Sequence, residues 1–273
     1  MDYKDIEKSI VKRYRKTIWV RFIRAINEYD LISENDKLLV CISGGKDSML
    51  LAKCIEELQK HSKFHFEAEY VVMNPGYKKE NLDLLKFNLE KLNIKAKIFD
   101  SDIFKVCDKI SKEEPCYLCA RMRRGFLYSK AKELGCNKIV LGHHFDDVIE
   151  TIMLNILYAG EYKTMMPKLH SQNFFGLDLI RPFYFVHEND IKDWAKYNNL
   201  SFLNCACSVT NGEVPSKRKE IKELIRDLRK INPNVDINIM RSSENINSTQ
   251  ILGYKDEEGK HSFLESYVNT KKD

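Results

Sequence analysis

Residues 38–48 read LLVCISGGKDS, and this stretch decides the fold. The run LLVCIS (38–43) has strand length, ends on Gly44-Gly45, and is followed by SMLLAKCIEELQK (48–60) with helical periodicity. A strand apolar without alternation is buried on both faces, which calls for helices above and below its sheet. The two glycines let the chain turn sharply and approach an anion with no Cβ in the way. The N–H groups that open the next helix, with its dipole, suit a phosphate or pyrophosphate. Ser43 and Ser48 add hydroxyl donors, Lys46 adds a cation, and Asp47 can hold Mg²⁺ against the phosphates.

Working outward, the same alternation repeats. FEAEYVVM (66–73) is a second strand, followed by a helix over 79–92, and KAKIFD (95–100) is a third, followed by a helix ending before Glu113. After the PCYLC turn, 119–134 reads as helix; NKIVLG (137–142) is a fourth strand, opening onto HHFDD and a helix over 147–158. Alternating strands and helices of these lengths predict an α/β fold with a doubly wound parallel sheet. Ligands of such sheets bind at the carboxyl ends of the strands. Ser43–Gly45, Asn74, Asp100 and His143–Asp147 all fall there.

Upstream, Ile10, Tyr14, Ile18, Phe22 and Ile26 recur every fourth residue and predict one amphipathic helix over 4–29. Downstream, helices are expected over 188–199 and 216–230, with a turn at NCACS, and 241–273 is polar with few periodic signals. The expected organisation is an N-terminal helical segment (1–35), an α/β domain that carries the phosphate-binding loop (36–200) and a C-terminal helical extension with its tail (201–273).

Hydrophobic residues make up 43% and charged residues 31%, a balance ordinary for a soluble globular chain. No apolar run approaches the roughly 20 residues needed to span a bilayer, and no secretory signal is visible at the start, so the expected compartment is the cytosol. A net charge of +5 argues little for nucleic acid. The local excess of Lys and Arg over acids in 1–24 and 217–230 says more, since such segments can line a phosphate-binding face or simply a solvated one. Cytosolic cysteines stay reduced, so the eight here are not staples. Cys41, Cys54, Cys107 and Cys136 read as small buried hydrophobes. Cys116 and Cys119 (PCYLC) and Cys205 and Cys207 (NCAC) are grouped, as metal ligation needs.

SGGKDS is not the GxxxxGK(S/T) loop of enzymes that cleave the β–γ bond. It resembles the SGGxDS signature of the PP-loop ATP pyrophosphatases, which cleave between the α- and β-phosphates. With PCYLCARMRRGFLY (115–128), LGHHFDDVIETIMLN (141–155) and IRPFYFVHENDI (180–191) in that order, the chain resembles the tRNA 2-thiocytidine synthetase family from about residue 10 to 245. The resemblance implies ATP and Mg²⁺, AMP-type activation of a base carbonyl, and a 4Fe-4S cluster on three cysteines. The implied substrate is cytidine at tRNA position 32, with cysteine desulfurase or sulfide as sulfur donor. A homodimer is compatible with it.

The residues suit that chemistry on their own terms. Oxide is a poor leaving group, and adenylating the carbonyl oxygen turns it into AMP, a good one. Two thiolates from Cys116 and Cys119 and a third from Cys205 or Cys207 leave one iron of a cubane open to hydrosulfide; a structural zinc on all four thiols is the competing reading. Counting without a gap from Arg181-Pro182, the family's distal cysteine falls on Cys205, although CxC here replaces the family's CxxC. Asp47, Arg123 and Asp147 are the candidates for the chemistry itself, Arg123 because it matches a basic catalytic position in the related thiouridine enzymes. Gly142 and Asp146 join Ser43, Gly44, Gly45, Lys46, Asp47 and Ser48 as expected nucleotide contacts. His143 and His144 are expected to cap the following helix. Two rivals stay open: a PP-loop ligase such as tRNA lysidine synthetase, which has no need of PCYLC, and an iron–sulfur redox sensor that modifies no base.

Overall fold

In the computed structural model, which describes residues 2–104, 106, 115–203 and 217–269, β1 (Lys37–Ile42) lies at the centre of the sheet. It pairs in parallel with β2 (Glu67–Asn74) on one side and β4 (Lys138–Val140) on the other. β3 (Lys97–Asp100) adds in parallel to β2. Alternate residues of β1 go to opposite layers: Leu38, Val40 and Ile42 join the larger core, while Leu39 and Cys41 pack with Val71, Tyr128 and Ile139 on the other face. The expected doubly wound α/β sheet is what the chain forms.

Two further strands were not expected. β6 (Asp178–Ile180) continues the parallel sheet beside β4, and β5 (Lys168–His170) closes the edge antiparallel to β6, giving the order β3-β2-β1-β4-β6-β5. Three residues each are too few to show a period. The sheet is therefore mostly parallel, with one antiparallel edge.

α3 (Lys46–His61) and α4 (Lys79–Lys91) return the chain to the sheet after β1 and β2. α5 (Pro115–Glu133) begins four residues earlier than expected, so Cys116 and Cys119 lie within its first turns and not in a turn before it. The helix expected to end before Glu113 falls largely outside the described residues. α6 (Phe145–Leu154) follows β4 and ends in a π-turn over Asn155–Ala159. α7 (Glu188–Tyr197) and α8 (Lys217–Ile231) match expectation. α9 (Val235–Ser242) continues the helical extension, and the polar stretch beyond it holds more structure than its sequence suggested: a hairpin of β7 (Gly253–Lys255) and β8 (Lys260–Ser262), and α10 (Phe263–Asn269).

The N-terminal helix is broken. α1 (Tyr3–Val11) and α2 (Val20–Glu28) flank a π-turn over Arg15–Trp19. A hydrophobic repeat of exactly four outruns the ~3.6 residues of an α-turn, so the buried stripe would drift around the helix. One wider turn, with the Trp19 N–H reaching back to Tyr14 O at 3.2 Å, takes up that excess. Ile6, Ile10, Ile18 and Phe22 are all fully buried as a result.

Candidate nucleotide and cysteine site

The order 3-2-1-4 reverses at β1, so the ends of β1 and β4 bound the crevice where ligands of such sheets bind. The loop at Ser43–Gly45 leaves β1. Gly44 sits at φ +85°, a conformation that favours glycine, and a Cβ there would lie 2.6 Å from Leu203 Cδ1, so that side chain would have to move as well. Gly45 caps α3 without a side chain, which leaves the first N–H groups of the helix available to an anion. The Ser48 hydroxyl is used within the loop: it accepts the Ser43 N–H at 3.1 Å and donates to Gly45 O at 3.0 Å. Ser43 remains exposed.

Lys46 Nζ lies 3.1 Å from Asp47 and 3.3 Å from Glu188 Oε1. Among the described residues Asp47 Oδ1 is buried with no partner in hydrogen-bond geometry, although Lys46 Nζ is 3.1 Å away and His144 Nε2 3.8 Å away. A buried carboxylate oxygen beside a phosphate cradle fits a divalent cation, which takes oxygen ligands.

Beyond β4, a Cβ on Gly142 would stand 3.2 Å from the backbone of Asp47 and Ser48. The glycine thus lets the β4 loop press against the start of α3. His144 caps α6 as expected: the Asp147 N–H donates to its Nδ1 at 3.4 Å, and Asp147 Oδ2 accepts the His144 N–H at 3.0 Å. Burial pushes the Asp147 carboxyl up, but His144, His143 and Arg218 outweigh it and hold the carboxyl below its ordinary value. His143 does not cap. Its Nδ1 accepts from Arg181 Nε at 3.4 Å, and burial lowers its pKa to about 4, so it is neutral.

Asp146 is committed elsewhere. Its Oδ2 accepts the Glu188 N–H at 2.7 Å and its Oδ1 accepts from Arg229 at 2.9 Å. The nucleotide contact expected of it therefore competes with two internal bonds.

Cys119 stands at this edge of the sheet. Cys116 precedes it by three residues in the backbone of α5. Cys119 packs with Leu118 and Met122 against Met73, near the carboxyl end of β2, and Ile103. One turn on, Arg123 stacks 5.3 Å over the Phe104 ring, and among the described residues its buried Nε has no hydrogen-bond partner. Cys205 and Cys207 lie outside the described residues. Cys41, Cys54 and Cys136 are buried as expected, and burial raises each thiol, Cys136 to about 11, so they stay protonated; Cys107 lies outside the described residues.

A PP-loop domain model matches residues 15–228. The chain is 34% identical over 251 residues to the tRNA-cytidine(32) 2-sulfurtransferase of Bdellovibrio bacteriovorus, covering 91% of this chain and 93% of that protein. It is 35% identical over 232 residues to the enzyme of the same name from Geotalea uraniireducens, covering 84% and 91%. The chain belongs to the tRNA-cytidine(32) 2-sulfurtransferase family. Among solved structures, the U34-tRNA thiolase NcsA from Methanococcus maripaludis with its 4Fe-4S cluster superposes with a TM-score of 0.66 at 23% identity, over 82% of this chain and 76% of that one, which extends the likeness of fold.

Sequence reading missed several groups. Arg181, at the end of β6, is buried, bonds His143 and donates to Met166 O; burial lowers its pKa to about 10. Its position beside a proline was visible, but its partner was not. The cations of α8 are mostly exposed, yet several reach acids of the neighbouring helices: Arg218 lies 3.4 Å from Glu150, Lys222 donates to Glu188 at 2.7 Å, and Arg229 bridges Asp146 and Asp236. On the N-terminal helix Lys12, Arg15 and Lys16 are exposed as expected, while Arg13 stacks 4.3 Å over the Tyr197 ring.

Proposed function

We propose that this chain replaces the C2 carbonyl oxygen of cytidine 32 in tRNA with sulfur, at the expense of ATP. The reading rests on family membership, and the observation that supports it is a shared edge: Cys119 packs by Met73 near the carboxyl end of β2, and the Ser43–Ser48 loop leaves the carboxyl end of the adjoining β1.

The base oxygen attacks the α-phosphorus of ATP and pyrophosphate leaves. A hydrosulfide sulfur then adds at C2, and AMP departs with the former carbonyl oxygen. Lys46 and the first N–H groups of α3 neutralise the departing pyrophosphate. Asp47, whose Oδ1 lacks a hydrogen-bond partner among the described residues, holds Mg²⁺. Asp147, kept ionised by its neighbours, is the second carboxylate of the crevice. Arg123, with its unsatisfied Nε one turn from Cys119, offers a cation to charge developing on the base. Ser43, Gly44 and Gly45 shape the loop, and Ser48 and Gly142 hold it closed. Asp146 takes a scaffolding part, since both its oxygens are engaged.

Thiolates fit an iron–sulfur cluster, and Cys116 and Cys119 with Cys205 are the three that would hold a 4Fe-4S cluster. Such a cluster supplies an open iron site for hydrosulfide. The sulfur donor is a cysteine desulfurase or free sulfide. Among the described residues no helix is long and apolar enough to cross a membrane. The exposed Lys12, Arg15 and Lys16 are the candidate phosphate grip for tRNA, because phosphate contacts position a nucleic acid without reading it.

Anaerobic purification followed by iron, sulfide and zinc analysis tests the metal. About four irons per chain with matching sulfide support the reading. One zinc per chain and no iron would replace it with a structural site.

A further inference from the structure

Glu188 has more to do than begin a helix. It is the first residue of α7, where any acid is favoured by the helix dipole. Yet its carboxylate is 9% exposed by residue and divided between two tasks. Oε2 is fixed from below by Lys222 of α8 at 2.7 Å and Lys192 of α7 at 2.9 Å. Oε1 is left for Lys46 Nζ, at 3.3 Å. The backbone at this point is pinned as well, since the Glu188 N–H donates to Asp146 Oδ2, whose other oxygen accepts from Arg229 of α8. Burial pushes the Glu188 carboxyl up, but Lys222, Lys192 and Lys46 outweigh it, so the group stays ionised.

We propose that Glu188 is a positioning residue that fixes the ammonium of Lys46 for the phosphates of ATP, and that through it α8 becomes part of the nucleotide site. This rests on reading SGGKDS as the phosphate-binding loop. A lysine has four rotatable bonds and a strongly hydrated head, so a free Lys46 would lose considerable freedom on meeting a phosphate. A carboxylate held on its far oxygen by two other lysines sets that head in place beforehand, and leaves part of its donor capacity for the ligand. The 300 Å³ cavity behind Glu188, lined also by Lys192, Lys222 and Arg229, is lined by none of residues 43–48. The Glu188 carboxylate therefore stands as the link between that cavity's cations and the loop.

The test is a double-mutant cycle on the full chain, read as the dissociation constant of Mg²⁺–α,β-methylene-ATP by calorimetry, with thermal melting to establish folding. Glu188→Gln in the wild-type background should weaken binding about 10-fold, a coupling typical of residues in direct contact. In a Lys46→Met background the same change should alter affinity by less than about 2-fold. Equal losses in both backgrounds would overturn the proposal, as would no loss in either. Wild-type protein that binds no analogue would overturn the nucleotide reading first and this proposal with it. If Glu188→Gln does not fold, the double change Lys192→Met with Lys222→Met carries the same cycle, since it frees Oε2 and leaves the start of α7 intact.

Discussion

His144 and Asp147 cap each other at the start of α6, with backbone N–H groups donating to side chains at 3.4 and 3.0 Å in opposite directions. The pair makes one residue serve two ends, since Asp147 is both a structural cap and a candidate for the chemistry. Asp147→Ala should therefore cost about 1 kcal/mol of stability, as cap deletions do, and turnover as well. The Asp147 carboxyl is held below its ordinary value, so its stabilisation is present above pH 3.8 and is lost as pH falls through the lowered value. Chemical denaturation of both proteins against pH should show their gap closing in acid. A gap that persists there would mean the cap does not depend on charge.

His143 makes the opposite prediction. Its pKa falls from 6.5 to about 4 on burial, so the unfolded chain binds the extra proton between those values. Stability should rise with pH across that window. In His143→Gln the slope should flatten, by at most about 1.4 kcal/mol per pH unit. An unchanged slope would assign it to other groups.

Gly142→Ala would bring a Cβ to 3.2 Å of the Asp47–Ser48 backbone. The neighbour is main chain, so the PP-loop itself must shift. The expected result is a small change in melting temperature with a loss of ATP affinity of about 10-fold or more, because small displacements of positioning groups are costly. Unaltered affinity would show that the two loops can part without consequence.

Lys53 is buried, with Nζ donating to Glu7 at 2.6 Å, Leu92 O at 2.9 Å and Glu56. It ties α1 to α3 far from the crevice. Lys53→Met strands Glu56 and leaves Glu7 with Lys60 alone, and should destabilise by about 3 kcal/mol in urea unfolding, while leaving nucleotide affinity unchanged. A loss below about 1 kcal/mol would mean water replaces the lysine.

The parts of the fold legible in the sequence were those with a repeat long enough to read. β1 announces itself by an unbroken apolar run, and its neighbours by the same spacing of strand and helix. β5 and β6 do not, because three residues carry no period, and their pairing depends on contacts far along the chain. The Ser43–Ser48 loop was legible because glycine and charge at fixed spacing have a local cause. The internal partners of Asp146 were not legible for the reverse reason: the Glu188 N–H and Arg229 stand 42 and 83 residues away. The acidic partners of the exposed α8 cations are illegible likewise, since Lys and Arg on a helix look the same whether they meet water alone or Glu188.

The most direct measurement is nucleoside mass spectrometry of tRNA incubated anaerobically with iron-loaded protein, ATP, Mg²⁺ and sulfide. The account predicts 2-thiocytidine at position 32, released AMP, and neither product from Asp47→Ala, with Cys116→Ser forming no thiolated base. Unmodified tRNA from the wild-type protein, or thiolation that proceeds without ATP, would contradict it.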